Sequence, residues 1–358
     1  MTGSIERYET KSGPRYAARW RGPDRRQKKR KGFVRKREAQ AFLARVQTEM
    51  RDGRYIDPQA GRASVGELGP AWLKRRRAGV NFSTWRTYES AWRLHVEPRW
   101  GRVPVGVVRK DDVEDWIAEF VELDASHTQI DRNRSVLSGI LREAVAARRI
   151  ADNPAENLSN MPRKTSRDMR ILTAAQLRAL ADGAGPHRDL VLTLGLTGIR
   201  WGEAVALQTA HVDLVRRRIR IVENAVEAGG QILLGLPKSH ERREVSAPLP
   251  LLERLAEQPS GLLFPGSRGD FLRRPKNERS WWAKALRAAQ LPSDLRRHEL
   301  RHTAASLAIH AGANVKVLQR MLGHASAAMT LDRYGHLMDT ALDEVADRMA
   351  VQMGSEAI

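Results

Sequence analysis

The chain contains no cysteine. That excludes disulfides, thiolate zinc sites and cysteine nucleophiles, and it suits a reducing compartment. Tyrosine is nearly as scarce, with five in 358 residues, so one in an unusual setting stands out. No run approaches the ~18 apolar residues of a membrane-spanning helix. The opening MTGSIERYETKSG has no apolar core of the secretory kind. A cytosolic protein, in reach of whatever DNA or RNA is there, is expected. Acidic residues are the third shortage: 42 Asp and Glu stand against 62 Lys and Arg, a net charge of +20. Such a surplus attracts a polyanion, and nucleic acid is the commonest one. The plainer alternative, charge serving only solubility, fits a surplus of this size poorly.

What is present is unevenly distributed. Residues 1–60 hold 17 Lys and Arg against 7 Asp and Glu, a surplus of 10 and half the total. SIERYE, RYAARWRG and KKRKGFV predict three short strands, with turns at Lys11-Ser12-Gly13-Pro14 and Gly22-Pro23-Asp24. KREAQAFLARVQTEMRDG predicts an amphipathic helix with Ala41, Phe42, Val46 and Met50 near one face and Gly53 as its stop. A three-stranded sheet backed by one helix, with basic residues on its open face, can lie in a major groove. Arg19, Arg21, Arg25, Arg26, Lys28, Lys29 and Arg30 are its candidate DNA contacts. The bland reading is a basic flexible arm, which the alternating strands disfavour.

YIDPQAGRAS reads as a linker. From residue 64 to 158 four helical segments follow, the second capped by Ser83 and the last stopped near Asn153-Pro154. LSNMPRKTSRDMR is a second, basic linker, in which Arg163 and Lys164 are further candidate DNA contacts. RRIRIVENAV and QILLGLPKSHERREVSAP read as strands of a small sheet, and residues 171–358 as a mostly helical third domain with one β-hairpin. The fold class expected is therefore multidomain and mainly α, with small β-sheets.

Three signals stand out in the third domain. In TGIRWGE, an apolar helix ends at Gly198 and Arg200 opens the next, placed to aim a guanidinium at an anion. HELRHT reads in two ways. As H-E-x-x-H it pairs His298 and His302 for zinc, with Glu299 as base. As H-x-x-R it sets His298 and Arg301 on one helix face. The zinc reading lacks a third ligand, since Ala305 and Ala308 stand where the extended motif needs Gly and His. The third signal is LGH at 322–324, ten residues before Tyr334 in MTLDRYGH, where polar and charged residues crowd the tyrosine.

Arg200, His298, Arg301, His324 and Tyr334, in this order and spacing, resemble the signature of the tyrosine recombinases, the phage integrase family. The resemblance covers nearly the whole chain. It implies an arm-type DNA-binding domain at 1–60, a helical core-binding domain at 64–158 and a catalytic domain at 171–358. The reaction it implies is site-specific cutting and rejoining of DNA through a covalent 3′-phosphotyrosine, serving integration and excision of a phage or mobile element. Arg200 and Arg301 would hold the phosphate, always charged and offering forked donors. His298 would exchange a proton with Tyr334, whose phenol has an ordinary pKa near ~10. His324 would donate to a non-bridging oxygen, and Lys238 on the hairpin would protonate the leaving 5′-oxygen. Glu203 would brace a basic group of the site. His302 is expected to be structural, and His336 a helix-end cap.

The family implies no cofactor and no metal. Its partners are double-stranded DNA carrying attachment sites, three further copies in a homotetramer, a host DNA-bending protein and an excision directionality factor, with no membrane. The amphipathic TALDEVADRMAVQM can dock on a neighbouring subunit or pack on its own domain. The alternatives are a DNA-relaxing enzyme of the type IB topoisomerase kind, a DNA-binding protein without catalysis, and a zinc metallopeptidase built on HELRH.

Overall fold

The computed structural model describes residues 3–22, 25–52, 55–57, 59–164, 168–236, 242–338, 347, 349–351 and 353. The chain divides into two compact units, Met1–Ser166 and Arg167–Ile358.

In the first unit, β1 (Ser4–Thr10), β2 (Gly13–Arg21) and β3 (Gln27–Phe33) form an antiparallel sheet in that order, backed by α1 (Lys36–Arg51). Ala18 and Trp20 alternate onto the helix-facing side and meet Phe42, Leu43 and Val46. The indole of Trp20 lies edge-on to Phe42 with centroids 5.5 Å apart. The buried stripe of α1 is Ala39, Phe42, Leu43 and Val46, and Ala41 is exposed. A helical step of about 100° places residues three and four apart on one face, and Ala41 falls off it. The segment read as a linker is partly built into this module. Tyr55 is buried, and its hydroxyl accepts the Trp20 indole N–H at 2.9 Å. Asp57 pairs with Lys28 at 2.5 Å. A buried indole N–H needs an acceptor, and Tyr55 supplies it.

The helical part comprises α2 (Val65–Gly79), α3 (Phe82–Ala91), α4 (Glu97–Trp100), α5 (Lys110–Glu122) and α6 (His127–Ala146). Asn81, not Ser83, caps α3, its side chain accepting from the Thr84 amide at 3.0 Å. One wide π turn, Trp92–Val96, joins α3 to α4. It lets Trp92, Val96 and Trp100 all face one core, with Trp72 and Trp116.

The second unit begins with α7 (Ala174–Gly183), α8 (Arg188–Thr197) and α9 (Trp201–Val205). Next come β4 (Val212–Asp213), β5 (Arg218–Ile221), β6 (Asn224–Ala228), β7 (Gln231–Gly235) and β8 (Arg243–Ser246). Helices α10 (Leu249–Ala256), α11 (Trp281–Ala288), α12 (Glu299–His310), α13 (Val315–Leu322) and α14 (Ala327–Tyr334) complete it. The strands resolve differently from the single hairpin expected. β7 pairs with β6, whereas β8 joins β5 and β4 in a separate sheet. Residues 237–241, Lys238 among them, lie outside the described residues, as does most of TALDEVADRMAVQM.

The apolar α8 runs through the main core, where Leu190, Val191 and Leu194 pack with residues of α7, α10 and α11. A smaller cluster joins Ala305 of α12, Leu318 and Leu322 of α13, and Tyr334. Among the described residues no helix is long and apolar enough to cross a membrane.

Candidate active site

The site forms where α8, α9, α12, α13 and α14 meet β8. Helix α8 ends at Gly198, whose φ of 66° is left-handed and suits a residue without Cβ. The turn buries Ile199 and makes Arg200 the N-cap of α9. Three residues on, the buried Glu203 closes the cap. The Arg200 amide donates to Glu203 Oε2 at 2.8 Å, and the Arg200 guanidinium to Oε1 at 2.9 Å. Arg243, first residue of β8, grips the same carboxylate with two bonds of 3.0 and 2.7 Å. Burial pushes the Glu203 carboxyl up. Hydrogen bonding and charge from Arg243, then Arg200, outweigh it, so the net shift is downward and the group stays ionised. The motif's second glycine also has a steric reason: a Cβ at Gly202 would sit 2.3 Å from Asn224 Oδ1.

Arg301 enters from the first turn of α12 and is only 4% exposed. Its Nη1 donates to Gly198 O at 2.6 Å and its Nη2 to Leu322 O at 2.5 Å. Both carbonyls belong to helix C-terminal ends, where acceptors lack intrahelical partners and the helix dipole is negative. Burial, then repulsion from Arg200, lowers the guanidinium to about 9, with Glu203 pulling the other way, so it remains charged at neutral pH. Two of its five N–H donors are used by these carbonyls. Arg200 Nη2 reaches Gly323 O, at the end of α13, at 3.5 Å. The same helix ends thus orient both guanidiniums.

His324 follows Gly323 directly. Its Nδ1 lies 2.9 Å from the Thr330 hydroxyl, which is fully buried. Burial first, then Arg301 and Arg200, hold its pKa down to about 4, so the ring is neutral at physiological pH. It stacks on Tyr334 with centroids 6.3 Å apart and planes 6° from parallel. Tyr334 itself is 0% exposed. Its polar sequence neighbours mislead: the ring is walled by Ala305, Leu318 and Leu322 from other helices. Its hydroxyl lies 2.8 Å from His302 Nδ1. Burial raises the phenol's pKa against the opposing pull of Arg301 and Arg333. Burial also lowers His302 to about 4, helped by His298, Arg333, Arg301 and His324. A neutral imidazole therefore faces a protonated phenol, which donates. The ring of His298 stands edge-on to His302, 5.6 Å between centroids.

Of the residues expected from sequence, Arg200, Glu203, His298, Arg301, His324 and Tyr334 converge, and Lys238 lies outside the described residues. Three side chains were not anticipated. His302, expected to be structural, touches the phenol. Its position four residues after His298 marks it as sharing that helix face. Arg243 braces Glu203, and nothing in HERRE separates it from its neighbour Arg242. Thr330 bonds His324 from one turn before Tyr334. Two side chains of HELRHT have partners elsewhere. His302 Nδ1 faces Tyr334, and Glu299 Oε2 accepts the Arg296 amide at 2.5 Å. Among the described residues no group of three His, Asp or Glu side chains is placed to hold a metal ion.

The basic residues of the N-terminal sheet divide between its faces. Arg19 pairs across to Lys29, and both bond Glu6 at 2.6 Å. Arg30 sits opposite Ala18 and covers the ring of Phe42 at 4.7 Å. Lys28, opposite Trp20, reaches Asp57. Strand alternation therefore prevents Lys28, Lys29 and Arg30 from sharing one DNA-facing surface. Arg163 and Lys164 are exposed.

A buried phenol thus lies beside two fixed arginines and the neutral His302 and His324, a setting suited to an anion such as a phosphate. Residues 169–340 match the phage integrase family. The prophage phiRv2 integrase of Mycobacterium tuberculosis H37Rv is 28% identical over 340 residues, covering 90% of this chain and 88% of that protein. Two solved structures share the fold. The Tn1549 transposon integrase in complex with transposon right end DNA gives a TM-score of 0.67 at 21% identity, covering 80% of this chain and 100% of that one. The lambda integrase tetramer bound to a Holliday junction gives 0.56 at 18% identity, covering 90% and 96%. Residues 169–340 carry the phage integrase domain, and the chain is a tyrosine recombinase, an enzyme of site-specific DNA recombination.

Proposed function

We propose that this recombinase integrates and excises a phage or mobile element, with Tyr334 as nucleophile acting within its own subunit's site. The observation that carries the reading is the placement of Tyr334 against the same chain's His302 and His324, beside Arg301. The phenolic oxygen attacks phosphorus and keeps the 3′-phosphate, and the 5′-hydroxyl leaves. The phosphoester energy is retained for rejoining, because no water takes part.

Arg200 and Arg301 neutralise the phosphate oxygens as charge grows in the transition state. Their attachment to helix ends and to Glu203 fixes them before DNA arrives, so little reorganisation is needed at reaction. The Thr330 hydroxyl at Nδ1 of neutral His324 suits a tautomer that carries its proton on Nε2, free to donate to a non-bridging oxygen. Proton transfer with Tyr334 belongs to the histidine face of α12, on which His298 lies. Lys238 protonates the leaving oxygen. Residues 1–60 serve as the arm-binding domain, 64–158 as the core-binding domain and 171–358 as the catalytic domain. Four copies assemble on two double-stranded attachment sites, as the lambda integrase does on its junction. A host DNA-bending protein and an excision directionality factor complete the assembly in the nucleoid.

The decisive experiment uses a nicked attachment-site duplex that traps the covalent adduct. Tyr334→Phe is expected to bind this DNA as the wild type does and to form no adduct. A persistent adduct in that variant overturns the assignment. Wild-type cleavage is expected to survive EDTA, and dependence on added zinc would instead favour a metal site at HELRH.

A further inference from the structure

Arg297 and Trp201 each adjoin a residue of the site, Arg297 preceding His298 and Trp201 following Arg200. Their side chains meet. The Arg297 guanidinium lies 5.5 Å from the centre of the Trp201 ring and 5.8 Å from that of Trp282. We infer that Arg297 binds a DNA backbone phosphate flanking the scissile one, and so fixes the register of the strand against Arg200 and Arg301. The inference rests on those two arginines holding the scissile phosphate, and it adds a neighbouring phosphate to the same site.

Three observations support it. The first is that the guanidinium is held in place by the fold. The Trp282 indole N–H donates to Leu295 O at 3.0 Å, two residues before Arg297, and the Arg297 carbonyl accepts the Leu300 amide at 3.2 Å. Trp201 in turn stacks on Trp281, with centroids 6.3 Å apart and planes 22° from parallel. The second is that the charge has no anion. Indole faces attract a guanidinium but offer no lone pair to its N–H groups. Among the described residues no oxygen accepts from the Arg297 side chain. Burial, then repulsion from Arg274, pushes its pKa down, yet a guanidinium stays charged. Glu227, which accepts the Arg274 amide at 3.4 Å, is already paired with Lys276 at 2.5 Å.

The third is that packing alone does not call for a charge here. Leucine or methionine would fill a cleft between indoles without desolvating a cation, so a half-buried Arg297 is an unmet demand for an anion. Phosphate oxygens match the forked donors of arginine. Arg274, exposed and near enough to repel Arg297, adds to the positive field that draws a backbone to this side of the site.

The test measures affinity for an attachment-site duplex carrying one methylphosphonate, an uncharged phosphate replacement. The replacement is moved in turn through the positions around the scissile phosphate, which the wild-type adduct maps. In wild type, one flanking position is expected to weaken binding by about 10-fold, the size of one charge-assisted hydrogen bond. Arg297→Met keeps a long apolar chain against the indoles and removes the charge. It is expected to bind the unmodified duplex about 10-fold more weakly, with a salt slope lower by about 1. It is also expected to be indifferent to the methylphosphonate at that one position and to match the wild-type profile at every other. Arg297→Lys, charged but unforked, is expected to keep the salt slope and to show a penalty of about 3-fold at that position. It decides the matter if melting shows that Arg297→Met does not fold. A wild-type profile at every flanking position in the deciding variant overturns the inference, as does a loss of sensitivity spread over all positions. Relaxed preference at one base pair with the phosphate profile unchanged, the mark of a base contact, overturns it too. Adduct formation by Tyr334→Phe, run alongside, instead overturns the assignment of the reacting site, a result on which the affinity profile does not depend.

Discussion

Two regions of this chain carry concentrated positive charge, and they hold it in opposite ways. In the second unit, Arg301 and Arg243 are nearly buried, and each guanidinium is fixed by named acceptors: helix-end carbonyls for one, the Glu203 carboxylate for the other. On the N-terminal sheet, Arg19 and Lys29 are partly exposed and share a single carboxylate, that of Glu6. The first arrangement has one geometry and a large penalty for losing any member. The second has many geometries of similar energy and exchanges partners easily. Under the proposed function, the buried charge positions a reacting phosphate and the exposed charge attracts a DNA backbone.

The contrast predicts its largest effect at Glu203. This carboxylate is the counter-charge for both Arg200 and Arg243, so Glu203→Ala leaves two close guanidiniums facing one another. Breaking a buried pair by removing one partner typically costs about 3–5 kcal/mol. Chemical denaturation of the variant is expected to show a loss of that order. A loss below about 1 kcal/mol, the range of exposed pairs, would mean that the network is no more demanding than a surface one.

Arg301→Lys is the next largest. Lysine keeps the charge but not the planar fork that bonds Gly198 O and Leu322 O together. Cleavage on the nicked duplex is expected to fall by about 10²-fold, near the cost of one preorganised donor, with DNA binding retained. Equal rates would show that charge alone suffices.

Acidity separates the regions more gently. His302 and His324 stand at about 4 in the folded protein and near 6.5 when unfolded. Between these values the unfolded chain binds more protons, so stability falls as pH drops from about 6.5 towards 4, and is fully present above 6.5. His302→Phe lacks one such group, so the gap in melting temperature between it and wild type is expected to narrow across that window. Parallel curves at pH 7 and pH 4.5 would contradict the burial argument for His302.

Sequence revealed much of the site and less of its enclosure. Arg200 and Glu203, three residues apart at a helix start, form a local capping pair. Arg301 and His302 lie one turn after His298, which helical spacing also exposes. Local periodicity carries no information on what distant elements bring. Tyr334 sits among polar neighbours in the chain, yet Leu318 and Leu322 from the preceding helix bury it. Arg243 reaches Glu203 across forty positions by strand placement alone, and β8 left its expected hairpin for the β4–β5 sheet. Tyr55 looked like linker because its partner, the Trp20 indole, lies thirty-five residues earlier.

The smallest effects lie on the N-terminal sheet, and they discriminate best between its two faces. Exposed ion pairs contribute roughly 0–1 kcal/mol, so a DNA phosphate can displace Glu6 from Lys29 or Arg19 at little cost. Lys29→Ala and Arg19→Ala are each expected to reduce the slope of log affinity against log salt by about 1, with almost no change in melting temperature. Arg30, the next residue along the strand, points to the helix side and covers Phe42. Arg30→Ala is expected to leave the salt slope nearly unchanged and to lower the melting temperature instead, because its loss uncovers aromatic surface. If Arg30→Ala shifts the slope as much as Lys29→Ala does, DNA binds this module through charge irrespective of face. In that case the alternation of β3 does not select which residues meet the phosphates.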